Sequence, residues 1–124
     1  MIPNRLVVLI DDDQATQNIF QMVLENSQFS LTAFMSGEEA IYYLSQHDAP
    51  DIIVIDLFLP GINGYQVLQK LRQSPLDKNC QFVGTTSYWG LSTSSEMLER
   101  GFNGCLLKSL EACQILPYLQ QLCS

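Results

Sequence analysis

Two runs in this chain are apolar at every position: Leu6-Val7-Val8-Leu9-Ile10 and Ile52-Ile53-Val54-Ile55. A strand without polar positions is buried on both faces, as in a parallel sheet covered by helices. Similar runs alternate along the chain with stretches whose apolar residues recur at helical spacing. The pattern predicts strands at about 5–10, 30–34, 52–56, 81–86 and 103–107. It predicts helices at about 14–26, 37–46, 64–73, 93–100 and 111–122. The first helix carries Ile19, Phe20, Val23 and Leu24 on one stripe and has Asp13 as its N-cap. Ser36-Gly37-Glu38-Glu39 reads as a capping box for the second, whose stripe is Ala40, Ile41 and Leu44. Val67, Leu68 and Leu71 form the stripe of the third. Any of Ser92, Thr93, Ser94 and Ser95 can cap the fourth, and Gly101 ends it. Pro117 should bend the last helix or delay its start.

Five strand–helix units joined by right-handed crossovers give an α/β, doubly wound parallel sheet with strand order 2-1-3-4-5. No linker, repeat or low-complexity segment interrupts the pattern. Residues 1–124 are therefore expected to form a single domain with no separate output domain.

Composition narrows the function. Hydrophobic residues make up 47% and charged residues 15%, which argues for a folded core and against disorder. The net charge is −7, and the six basic residues (Arg5, Lys70, Arg72, Lys78, Arg100 and Lys108) are scattered. No basic patch can track phosphates, so direct nucleic-acid binding is not expected. No apolar stretch approaches the roughly 20 residues that span a bilayer. Met1-Ile2-Pro3-Asn4 does not open a signal peptide, so the expected location is cytoplasmic. Cys80, Cys105, Cys113 and Cys123 include no C-x-x-C pair, so thiols are expected rather than zinc ligands or disulfides.

The candidate chemistry lies in the acids. Asp11-Asp12-Asp13 follows the first apolar run and Asp56 ends the second. Such residues meet at the carboxyl edge of the sheet, where open α/β folds keep their sites. Clustered carboxylates there repel one another unless a cation or proton joins them. Asp13 is better used as a helix cap than as a member of this cluster.

The segments Leu9-Ile10-Asp11-Asp12, Ile55-Asp56-Leu57-Phe58-Leu59-Pro60-Gly61-Ile62-Asn63-Gly64, Thr85-Thr86-Ser87 and Gly101-Phe102-Asn103-Gly104-Cys105-Leu106-Leu107-Lys108 carry a resemblance. Asp56 and Thr86 are 30 residues apart, and Thr86 and Lys108 are 22 apart. In this order and spacing, the chain resembles the CheY-like receiver domain of two-component response regulators over nearly its full length. The resemblance implies a flavodoxin-like (βα)5 fold and a role in phosphorelay signalling. It makes Asp56 the phosphoacceptor, an oxygen nucleophile that forms an acyl phosphate. It assigns Mg2+ to Asp11, Asp12, Asp56 and the backbone carbonyl of Phe58, with Asp11 acting mostly through water. Lys108 is to sit beside Asp56 and later hold a phosphoryl oxygen, while Thr86 donates its hydroxyl to the phosphoryl group. Thr85 is the neighbouring alternative for that hydroxyl. Ser87 is small and leaves room for the donor. Pro60 and Gly64 shape the loop after Asp56, Gly64 by close approach or an unusual backbone angle.

Two positions depart from the family pattern. Cys105 stands three residues before Lys108, where many receivers have a Tyr or Phe whose rotamer couples to the threonine. Ser109 stands where proline in a cis peptide is common. A cis bond before a non-proline residue costs about 3–4 kcal/mol, so trans is expected at Lys108–Ser109. Phe58 and Tyr88 hold positions that border the site and are expected to slow loss of phosphate by excluding water.

The implied function is a phosphorylation-dependent switch rather than an enzyme with its own substrate. A sensor histidine kinase or histidine phosphotransfer protein supplies the phosphoryl group. Output runs through protein contact on the face of the fourth helix, fifth strand and fifth helix. A receiver-like scaffold that is never phosphorylated is one alternative, kept open by Cys105. A Mg2+-dependent phosphohydrolase with an aspartyl-phosphate intermediate is another. It is opposed by Phe58, which stands where those enzymes place a second acid.

Overall fold

A computed structural model of the chain describes residues 5–74, 80–87, 93–108 and 112–123. The elements run β1 (Arg5–Ile10), α1 (Gln14–Leu24), β2 (Phe29–Phe34), α2 (Gly37–Leu44), β3 (Ile52–Asp56), α3 (Gly64–Arg72), β4 (Gln81–Thr86), α4 (Thr93–Glu99), β5 (Gly104–Leu107) and α5 (Ala112–Leu122). The strands form one parallel sheet in the order β2-β1-β3-β4-β5, as the pattern predicts.

The apolar runs are explained by two cores, one on each side of the sheet. Val8, Ile10, Ile53 and Ile55 pack with Ala40 and Leu44 of α2, Val67, Leu68 and Leu71 of α3, and Met97 of α4. Their strand neighbours Val7, Leu9, Ile52 and Val54 pack on the other side with Phe20 and Leu24 of α1 and with Ile115 and Leu119 of α5. All eight strand residues are fully buried. Burying each such side chain stabilises the fold by about 1.5–3 kcal/mol. A polar residue at any of them would face one core or the other.

Element ends deviate from the periodicity where local hydrogen bonds intervene. α1 stops at Leu24 because Glu25 turns extended (ψ 135°) and Asn26 takes a left-handed φ of 62°, a conformation asparagine tolerates. α2 stops at Leu44, where the Ser45 hydroxyl donates to the Tyr42 carbonyl at 2.6 Å. β5 begins at Gly104 because Asn103 pairs with β4 partly through its side chain. Its Oδ1 accepts the Phe82 N–H at 2.8 Å while its own N–H donates to the Phe82 carbonyl at 2.7 Å. Gly101 ends α4 with φ +115°. Pro117 lies inside α5 and the start is not delayed to it, the helix running from Ala112. Asn63 and Gln66 form a complete capping box at α3. The readings on Tyr88 and on the Lys108–Ser109 peptide lie outside the described residues.

Candidate functional site

The strand order brings the carboxyl ends of β1, β3, β4 and β5 side by side. Asp11 and Asp12 follow β1, Asp56 is the last residue of β3, Thr86 ends β4, and Lys108 follows β5. Carboxylate oxygens of Asp11, Asp12 and Asp56 all lie within 4.8 Å of one another. Asp11 is fully buried and Asp56 nearly so, whereas Asp12 is exposed. Lys108 Nζ lies 3.0 Å from Asp11 Oδ2 and 3.2 Å from Asp56 Oδ2. One ammonium therefore serves two carboxylates.

Backbone donors fix these carboxylates. The Asp13 N–H donates to Asp11 Oδ1 at 2.9 Å, and the Phe58 N–H donates to Asp56 Oδ1 at 3.1 Å. The Gln17 side-chain amide donates to the Asp11 carbonyl at 3.0 Å and the Phe34 carbonyl at 3.1 Å, tying the β1–α1 turn to β2. Asp13 takes no part in the cluster. Its carboxylate caps α1, accepting from the Ala15 N–H at 3.1 Å and the Thr16 hydroxyl at 3.0 Å. Gly64 acts by close approach, since a Cβ there would lie 2.4 Å from the Asp56 carbonyl oxygen. The positive φ in this loop belongs to Gly61 instead.

Burial pushes the Asp11 carboxyl above its ordinary value, and repulsion from Asp56 adds to this against the pull of the Asp13 N–H and Lys108. Burial alone would lower Lys108, but its contacts with Asp11 and Asp56 outweigh that, and its pKa is raised. Asp11 Oδ2 has no hydrogen bond, despite its ionic contact with Lys108. A small hard cation takes an octahedral oxygen shell with bonds of about 2.0–2.1 Å, so oxygens across it lie about 4.2 Å apart. Three carboxylates at this spacing, one with a buried oxygen held only by its ionic contact with Lys108, fit such an ion.

Both β4 threonines are buried, on opposite faces of the strand. Thr86 accepts the Lys108 N–H on its carbonyl at 2.8 Å, which ties Lys108 to the end of β4. Thr85 pairs in register with Asp56 and lines a small cleft with Thr16, Ile19, Ile115 and Lys108. Its hydroxyl has no partner, a feature the sequence did not flag. The signal was present in strand parity, because Thr85 and Asp56 sit side by side on adjacent strands. Phe58 has its amide on Asp56 while its ring is 64% exposed.

The family profile described as Response regulator receiver domain matches residues 7–120. The chain belongs to the response regulator receiver domain family. Receiver domains of this kind belong to two-component signalling. The putative response regulator of Chloroflexus aurantiacus is 28% identical, with a TM-score of 0.85 and 97% of each chain covered. The two-component response regulator ORR5 of Oryza sativa is 28% identical over 118 residues, which is 95% of this chain and 85% of that protein. Response regulator PleD of Caulobacter vibrioides is 25% identical over 94% of this chain, which spans only 25% of PleD's length. No helix among the described residues is long and apolar enough to cross a membrane.

Proposed function

We propose that this receiver domain is a phosphorylation-dependent switch with Asp56 as its phosphoacceptor. The observation that carries the reading is a buried Asp56 carboxylate held 3.2 Å from Lys108 Nζ within a three-acid cluster at the sheet edge. The Phe58 N–H holds Asp56 Oδ1, and an Asp56 oxygen attacks phosphorus. The phosphorus–nitrogen bond of a phosphohistidine donor breaks, and the imidazole leaves with a proton. The donor is a sensor histidine kinase or a histidine phosphotransfer protein.

Negative charge spreads over the phosphoryl oxygens in the transition state, so catalysis is mainly positioning and neutralisation. Lys108 supplies one positive charge, and the Thr86 hydroxyl donates to the phosphoryl group once it is in place. Asp11, Asp12, Asp56 and the Phe58 carbonyl would hold Mg2+, which supplies further neutralisation of phosphoryl charge. Phosphorylation then biases a pre-existing equilibrium of the α4-β5-α5 face, which meets a downstream protein.

Incubation with acetyl phosphate and Mg2+, followed by intact mass, tests the reading. One added phosphoryl mass, absent in Asp56→Asn, is the expected result. No gain from acetyl phosphate or from a phosphohistidine donor would leave the chain a scaffold that resembles a switch.

A further inference from the structure

Cys105 is too small to make the swing of an aromatic ring, so the link between the site and α4 needs another part. The register sets Gly84 of β4 beside Cys105 of β5. Neither fills the space between β4 and α4. Met97 fills it. A Cβ added at Gly84 would lie 2.4 Å from Met97 Cε and 3.3 Å from two carbons of the Phe102 ring. Met97 is fully buried and is the one buried side chain of α4. The Phe102 N–H donates to the Met97 carbonyl at 3.0 Å, so the methionine and the wall of its seat are tied together. Cys105, partly buried, packs against the same cluster.

Residues two apart on a strand share a face, so Gly84 and Thr86 open toward the same side of β4. The strand that carries Thr86 thus bears, two residues earlier, the notch into which α4 is keyed. We propose that Met97, seated on Gly84, is the positioning residue that couples Thr86 to α4, where the family commonly uses an aromatic side chain at the position of Cys105. This rests on the reading of Asp56 as the phosphoacceptor. When Thr86 is drawn toward a phosphoryl group, the end of β4 moves and the notch moves with it. Methionine has three rotatable bonds and a polarizable thioether, so it re-seats without leaving a void. The small thiol of Cys105 leaves room for that motion. Just past the same end of α4, three residues on from Met97, the Arg100 guanidinium stacks 3.6 Å from the Tyr65 ring centroid.

The test uses the full chain with methyl-13C methionine, whose four resonances belong to Met1, Met22, Met35 and Met97. Exposed Met22 serves as the internal reference. After treatment with acetyl phosphate and Mg2+, intact mass establishes phosphorylation before spectra are taken. The Met97 methyl is expected to move while Met22 stays. Met97→Leu is expected to accept the phosphoryl group at the wild-type rate, yet to lose at least two-thirds of the amide shift changes across Thr93–Glu99. Gly84→Ala should displace Met97 and abolish the same response, and Met97→Leu decides the matter whether or not that variant folds. A phosphorylated protein with an unmoved Met97, or a full α4 response in Met97→Leu, overturns the coupling alone. Absence of the phosphoryl mass overturns the reading of Asp56 and the coupling with it, and the mass measurement separates that outcome from the other two.

Discussion

Lys108 holds two buried aspartates at once, Asp11 and Asp56. Asp11 bears the larger cost, since it is fully buried and its Oδ2 lacks a hydrogen bond. Its pKa is raised, so the folded chain binds the Asp11 proton more tightly than the unfolded chain does. The sign follows from linkage: the contribution of Asp11 is most favourable below its unfolded value and declines as pH rises through the folded one. At neutral pH without divalent cation, Asp11→Asn should therefore raise the urea midpoint, and the gain should shrink as pH falls toward the ordinary carboxyl range. Equal midpoints for the two proteins across that range would contradict this account. Lys108 has the same sign in a higher pH range, because its pKa is raised too. Its ion pairs stabilise the fold below the ordinary lysine range and are lost as pH rises through its raised value. Phe58 makes a different case, because its ring is exposed and contributes little to the core. Phe58→Ala should leave the melting temperature nearly unchanged and speed loss of phosphate from phosphorylated protein several-fold, as water gains access. Phosphate release timed in isolated protein with Mg2+ checks it.

The elements are joined at their ends by side chains that act as pieces of backbone. Asn103 extends the β4–β5 ladder through Oδ1, and Arg72 at the end of α3 donates to that same oxygen at 3.3 Å and to the Gly101 carbonyl. The Arg72 guanidinium also lies 4.3 Å from the Phe82 ring centroid. Tyr118 of α5 accepts the Cys105 N–H at 3.0 Å and so covers part of the edge strand β5. Asn103→Ala leaves the Phe82 N–H without its partner and should cost about 1–3 kcal/mol in chemical denaturation. Faster amide exchange at Phe82 should accompany the loss. These junctions also mark where the sequence stopped being legible. Leu6–Ile10 and Ile52–Ile55 announce buried strands because burial on both faces admits no polar residue. Spacing then brings Asp11, Asp56 and Lys108 to one edge. Nothing local in Asn103 says that it pairs as a strand, and the periodicity therefore placed β5 one residue early. The Asn63–Gln66 box was readable in principle, since the pattern requires only an acceptor and an amide three residues apart. The meeting of Met97 with Gly84 was not, because it depends on how α4 lies across β4.

At the scale of the molecule, two cores grip one sheet from opposite sides, and the acidic site is the rim where four strands end. Neither core can relieve the repulsion there, since each is apolar and the nearest positive charge, Lys108, is already shared. The chain as a whole is also acidic, with a net charge of −7, so its field concentrates cations without choosing among sites. A cation bound specifically at the rim stabilises the folded state by mass action, about 2.7 kcal/mol when its concentration is 100 times Kd. For a domain of this size that is a rise in melting temperature of roughly 10 °C. General screening by the same ion should give a smaller rise that persists in site variants. Mg2+ should therefore raise the melting temperature of the wild type in a saturable way, and EDTA should reverse it. Asp12→Asn is the informative control, because Asp12 is exposed and its substitution leaves both cores untouched. It should keep the fold and lose the saturable part of the rise. A rise in Asp12→Asn as large and as saturable as in the wild type would assign the effect to the overall field and remove Asp12 from the ion's shell.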